Sequence, residues 1–283
     1  MSKYIAQSTK YKVFLLSIGL VVFLGTMYSA LRTSFAQTFD SVKAYQDYQY
    51  SLSIYTQANS DFEAAKDFYS KNQTLSLKED ARKKLLTMLK SRDQLEVVYL
   101  TALRTKISEL KGLADGDKSA IFGKIDTEVA WYKNHITSYG DGDAVETLFT
   151  KSDESKSHYS TTTIPIVYES LFDISLGEEV GIRQDHETIY NTLKLNIATG
   201  VAAGKLDVNQ FNRWFTDIDS NIQILHQNED LSKTQIQKMY DAYTTGSGSF
   251  NDSINTLSSS IKPLTQLNEF LTEVLTSIRS QQQ

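Results

Sequence analysis

An all-α fold is what this sequence predicts: an elongated bundle of long antiparallel helices preceded by one N-terminal hydrophobic helix. Three observations lead there. Only two prolines occur in 283 residues, so few helix breaks are forced. Apolar residues recur at alternating spacings of three and four, which lines one stripe of a helix rather than one face of a strand. Glycine- and aspartate-rich breakers cut that rhythm into stretches of helix length. With 40% hydrophobic residues, the chain has enough apolar surface for one large core or two modest ones.

The chain opens on Lys3, Lys10 and Lys12, followed by a nearly pure hydrocarbon stretch from Val13 to Leu24 and a weakly apolar one to Leu31. A cationic side followed by a run of spanning length is the pattern of a segment that enters a bilayer with its N-terminus inside. Two readings stay open for residues 1–36. Either the segment is a transmembrane signal anchor, or it is a signal peptide cut after the small-x-small site Ser34-Phe35-Ala36, with Gln37 as the new N-terminus. Both place the body outside the cytoplasm, membrane-anchored or secreted. No second apolar run of spanning length follows it, and the chain ends in the polar RSQQQ.

From Gln37 the stripes follow one another. Tyr45, Tyr48, Leu52, Tyr55, Phe62, Ala65 and Tyr69 make the first. Ser76 with Glu79 reads as a capping box opening a second helix, which carries Leu85, Met88, Leu95, Tyr99, Leu103, Ile107 and Leu110 to the breaker GLADGD. The third stripe is Phe122, Ile125, Val129, Tyr132, Ile136 and Tyr139, ending at Gly140-Asp141-Gly142. Asp143 with Glu146 forms another capping box for a fourth helix with Val145, Leu148 and Phe149. The TTTIPIVY segment predicts a break near residue 161 and a fresh short helix from Pro165 to about Ile174. A fifth helix follows SLGEE and reaches Val201 through Ile189, Leu193 and Ile197. The sixth, capped by Asp207 with Gln210, carries Val208, Phe211, Phe215, Ile218, Ile222 and Leu225. A turn is predicted at Asn228–Asp230, then a helix capped by Ser232 and ended by TTGSGS.

Phe250, Leu257, Leu264, Leu271 and Ile278 fall every seven residues, with Ile254, Ile261 and Leu275 four further on, which is a heptad seam expected to pack within its own bundle. Pro263 interrupts it, as a kink or as the first turn of a new helix. The breakers Gly112–Gly116 and Gly200–Gly204 resemble each other, as do the helix starts Ser76–Asp80 and Ser175–Glu179, so an internal duplication is expected. The resulting division is a leader at 1–36, a first helical unit at 37–140, a second at 141–228 and a C-terminal hairpin at 229–283.

Function classes are bounded by composition. No cysteine is present, which removes disulfides, thiolate metal sites and thiol catalysis. Four of the 29 basic residues lie in the leader, which has no acid; 25 then face 34 acidic residues from Gln37 onward, a balance of -9. An acidic body without a Lys/Arg run interleaved with aromatics is no partner for nucleic acid. The histidines, His135, His158, His186 and His226, show no zinc-ligand spacing, and no Glu-x-x-His is present. Glu154 and His158, one turn apart, read as an exposed side-chain pair. DGDKSAIFGKID, from Asp115 to Asp126, fits a calcium loop poorly, with Ala120 at the glycine position and Asp126 in place of the bidentate Glu. No catalytic, cofactor or metal site is therefore expected, and no cofactor.

At MLKSRDQLEVVYLTALRTKISEL, residues 88–110, together with the leader ending SFAQ, the chain resembles a group of uncharacterised secreted helical proteins from bacteria with very small genomes, over roughly its first 110 residues. The resemblance implies export and helix, and it carries no activity. The expected role is non-enzymatic: an extracytoplasmic spacer, scaffold or adhesion body that engages a protein partner at the cell envelope. The alternative is a helical sensor or solute-binding module working with a partner protein.

Overall fold

A computed structural model describes residues 40–241 and 246–281. The apolar leader, its cleavage site and the expected N-terminal helix lie outside the described residues. Eight α-helices, and no strand, occur among them. They are α1 (Asp40–Lys71), α2 (Leu75–Ser108), α3 (Asp115–Ser138), α4 (Val145–His158), α5 (Ile164–Ala202), α6 (Asn212–Asp241), α7 (Gly246–Ser258) and α8 (Ile261–Gln281). A π-turn, Tyr159–Thr163, joins α4 to α5, and a 3-10 turn, Val208–Gln210, precedes α6. Among the described residues no helix is long and apolar enough to cross a membrane.

α1 and α2 form an antiparallel hairpin. The Glu109 carboxylate, just past the end of α2, accepts the Ser41 amide at 2.9 Å and its hydroxyl at 2.6 Å, satisfying donors that the first turn of α1 would leave orphaned. Of the first stripe Tyr48, Phe62 and Ala65 are buried and Tyr45, Leu52, Tyr55 and Tyr69 half-buried, with Ala58 and Ser51 completing the buried line. α2 starts two residues earlier than its sequence signature: Thr74, not Ser76, is the N-cap, accepting the Leu77 amide, and Glu79 instead pairs with Arg82. α4 likewise begins after Ala144 without a side-chain cap. The Asp143 carboxylate staples the preceding turn instead, taking the Gly140 amide at 2.9 Å and the Lys151 ammonium at 2.6 Å.

The expected break near residue 161 does not occur. Pro165 has no amide hydrogen, and in an α-helix its ring would clash with the Thr161 carbonyl. The chain widens by one residue there, so that the Ile164 amide reaches Tyr159 O, and the helical path continues. α5 then runs 39 residues without interruption, through Ser175–Glu179. The second helix start of the expected duplication is therefore mid-helix. Gly177 is a notch rather than a breaker: the loop after α2 enters so closely that a Cβ on Gly112 would stand 2.3 Å from the Gly177 carbonyl oxygen. α5 does end where the sequence says, in a Schellman motif. Gly204 takes φ +69, and the Lys205 and Gly204 amides bond the carbonyls of Gly200 and Val201.

Asp207 caps the 3-10 turn, accepting the Asn209 amide, and α6 begins only after it. The turn expected at Asn228–Asp230 is absent, since α6 passes straight through. Those polar residues find partners on other elements: Glu229 on Arg183 and Asn228 on Ser260. The last seam divides at Ser259-Ser260, with Pro263 in the first turn of α8. Its second buried line is Ser253, Ser260, Leu267 and Val274, while Ile261 and Leu275 stay 49% and 38% exposed.

Among the described residues the apolar side chains gather into cores, two of them as follows. One joins Phe62, Leu85, Leu86, Leu89, Tyr139 and Leu148. The other gathers Tyr190, Leu193, Ile197, Phe211, Ile218 and Leu225 with Leu267, Leu271, Val274 and Ile278, so the C-terminal seam packs within its own bundle. α5 packs against α2 and α3 and also against α6, α7 and α8.

Candidate functional site

The site begins with a correction on α3. The sequence puts Phe122, Ile125, Val129, Tyr132, Ile136 and Tyr139 on the buried stripe; the structure buries Ile125, Tyr132 and Tyr139 of these but takes Ile121, Glu128 and His135 in place of Phe122, Val129 and Ile136. The three-four rhythm survives, but the helix is rotated by about half a residue, or about 50°. An acid and an imidazole thus enter the interior, with Glu128 2% and His135 7% exposed. Phe122 keeps a flank position under the Arg104 guanidinium, 4.4 Å from its ring centroid.

Two hydrogen-bonded groups form around these residues. In the first, Asp93 of α2 is fully buried and collects donors. His135 Nδ1 donates to Oδ2 at 2.6 Å, the Tyr139 hydroxyl to Oδ2 at 3.0 Å, the Ser155 hydroxyl to Oδ1 at 2.9 Å and Arg92 Nε to Oδ1 at 3.1 Å. Burial alone would raise the Asp93 carboxyl. The His135 hydrogen bond, the Arg92 charge and the Ser155 hydroxyl more than offset it and hold the group below the usual carboxylate range. Burial pushes the Tyr139 phenol up.

In the second group, Glu128 Oε2 accepts from His158 Nε2 at 2.9 Å and from the Thr163 hydroxyl at 2.8 Å. Thr163 Oγ1 in turn lies 2.9 Å from the Tyr132 hydroxyl. Because Thr163 gives its one hydrogen to the carboxylate, Tyr132 is the donor to Thr163. Trp131 links the groups: its indole lies nearly parallel to His158, with centroids 3.6 Å apart, and to His135, at 4.8 Å. The exposed pairing of His158 with Glu154 is replaced by this interior one.

Beside the cluster, Glu96 is pushed up to about 8, first by burial, with Arg92 opposing and Asp93 adding. Tyr99 is buried nearby, and among the described residues its hydroxyl has no hydrogen-bond partner; neither has His135 Nε2.

The arrangement ties its acids and imidazoles to one another rather than presenting an activated nucleophile. Ser155 donates to the aspartate and not to the imidazole, so it lacks the base an activated nucleophile needs. Among the described residues no group of three or more acids and histidines is placed to hold a metal ion. Asp115–Asp126 forms the first three turns of α3 rather than a loop, with Asp126 on Arg104 at 2.8 Å. No protein-family model, curated protein or solved structure matches the chain.

A second polar cluster lies where α5, α6 and the α7–α8 corner meet. Arg183, 6% exposed, holds both Glu229 oxygens and also Glu187 at 2.7 Å, and His226 stands 3.4 Å from Glu187. Glu179 is buried beneath the corner. Its carboxyl is pushed up to about 7 by burial, opposed by the Ser260 hydroxyl and reinforced by Glu229. On the surface, Ser53, Ile54, Gln57, Ala58, Asp61, Lys84 and Thr87 line a groove of about 380 Å³ between α1 and α2, apart from either cluster.

Proposed function

We propose that the protein is a non-enzymatic, extracytoplasmic helical body that spaces, scaffolds or adheres at a cell envelope. Its N-terminal segment either holds it in the membrane or is removed on export. One observation carries the spacer reading: α4, the π-turn and α5 make one continuous helical path from Val145 to Ala202. At about 1.5 Å per residue that path is roughly 85 Å long, the reach of a stalk or an extended interaction face. The interior carboxylates and imidazoles bind one another rather than line a cleft, which favours a structural role for them. The acidic exterior keeps such a body soluble and argues for a protein partner over nucleic acid.

The alternative, a helical sensor acting through a partner protein, is favoured by one feature, the interior hydrogen-bonded cluster of Asp93, Glu128, His135 and His158.

The absence of cysteine makes location directly testable. A single cysteine placed at exposed Ser60 is the only thiol in the full chain. In intact cells it should react with a membrane-impermeant maleimide. Labelling that appears only after lysis defeats the extracytoplasmic reading.

A further inference from the structure

Glu128 Oε2 is shared by two donors that stand at opposite ends of the π-turn. His158 is the last residue of α4, immediately before the turn, and Thr163 is the last residue of the turn itself. One buried oxygen on α3 therefore grips both ends of the segment that widens the helix to admit Pro165. π-turns within α-helices are costly and recur at functional positions.

The ring facing this carboxylate is an imidazole, a group that can change its charge where an arginine cannot. The other ionisable groups around it are mostly committed elsewhere. From α2, Arg92 and Asp93 bind each other and Glu96 lies toward Tyr132; from α3, His135 is bound to Asp93; from α4, Ser155 is bound to Asp93. With His158 as imidazolium, the pair is neutral overall and the bond is charge-assisted. Without that proton, a carboxylate only 2% exposed faces a neutral ring, and buried negative charge with weaker compensation is costly.

We infer that Glu128 and His158 form a proton-operated clamp on the π-turn, closed when His158 is charged and loosened when it is neutral. Trp131 reports the state, because its indole lies in face contact with the His158 ring and an imidazolium in that position quenches indole emission. The inference holds wherever the protein resides.

The test uses the full chain carrying Trp214→Phe, which leaves Trp131 as the only indole. Its emission is followed from about pH 5 to about pH 8, the span over which an imidazole changes charge. Amide hydrogen exchange at residues 160–164 is read over the same span and corrected for intrinsic pH dependence. Emission should rise in one step, exchange should quicken roughly tenfold across that step, and His158→Gln should remove both changes. A flat emission profile, a step that survives His158→Gln, or exchange that ignores the step overturns the clamp. Should His158→Gln fail to fold, Thr163→Val cuts the other arm and leaves both titrating groups. Its emission step should remain while exchange is fast at both ends of the range; retained protection at the acidic end overturns the clamp equally.

Discussion

Gly112 lies so close to Gly177 that a Cβ on it would stand 2.3 Å from the Gly177 carbonyl oxygen and 2.4 Å from the Gly181 amide nitrogen. Both obstacles are backbone of a long helix and cannot swing away. Gly112→Ala should therefore cost about 1–3 kcal/mol, read as a lower denaturant midpoint at constant slope. Gly123→Ala is the opposite case. That glycine is inside α3 with nothing within 4 Å of the added carbon, so the change should stabilise by about 1 kcal/mol.

Asp93 satisfies four donors from three elements and is wholly buried. Asp93→Asn keeps the shape but turns an acceptor-only group into one that also donates, leaving Arg92 and His135 facing a neutral amide. The cost should be about 3–5 kcal/mol by chemical denaturation. Glu63→Gln, whose partner Lys66 is a half-exposed neighbour on α1, should change stability by less than about 0.5 kcal/mol.

Three carboxyls titrate high in the folded chain. Glu96 is pushed up to about 8, and Asp173 and Glu179 to about 7; burial is the first cause for each, and Glu169 and Asp117 add to it at Asp173. Unfolded carboxyls release their protons near about pH 4. Between that value and the folded one the native chain binds more protons, so stability must fall as pH rises through this window. The melting temperature should drop from about pH 5 to about pH 8, and Glu96→Gln should flatten that fall. Asp93 has the opposite sign: held low in the native state, it withdraws its stabilisation only as the pH falls through the acid range.

Arg183 grips both Glu229 oxygens and reaches Glu187 from a site 6% exposed. Lysine cannot reproduce that fork. Arg183→Lys should cost about 2 kcal/mol and should loosen α6 against α5, read as faster amide exchange around Glu229.

Much of the fold was legible because spacing survives what side-chain chemistry obscures. The stripes of α1 and α2, the stop at Gly200–Gly204 and the self-packing of the last seam all follow from periodicity and glycine placement. The interior cluster was not legible, for a related reason. Rotating α3 by about half a residue keeps Ile125, Tyr132 and Tyr139 inside and the three-four rhythm intact, and hydrophobicity then selects Val129 and Ile136 over Glu128 and His135. Only residues on other helices reverse the choice: Asp93 from α2 for His135, and His158 from α4 with Thr163 for Glu128. The available signal was a second three-four line, Ile121, Ile125, Glu128, Tyr132, His135 and Tyr139, interrupted by complementary polar types. Breakers were misread for the same cause. Gly177 and Asn228–Asp230 look like turns until the loop at Gly112 and the partners Arg183 and Ser260 are seen.

The π-turn also acts as a slack loop in the winding. It takes up one extra residue, so the later side chains of α5 keep the azimuth they would have on a plain α-helix one residue shorter. Deleting one residue between Tyr159 and Thr163 would restore ordinary winding and leave Tyr168, Phe172 and Gly177 facing the surfaces they now meet, but it would bring the Pro165 ring against a carbonyl one turn back. A one-residue deletion there should therefore cost stability at the joint and leave the distant C-terminal bundle in place.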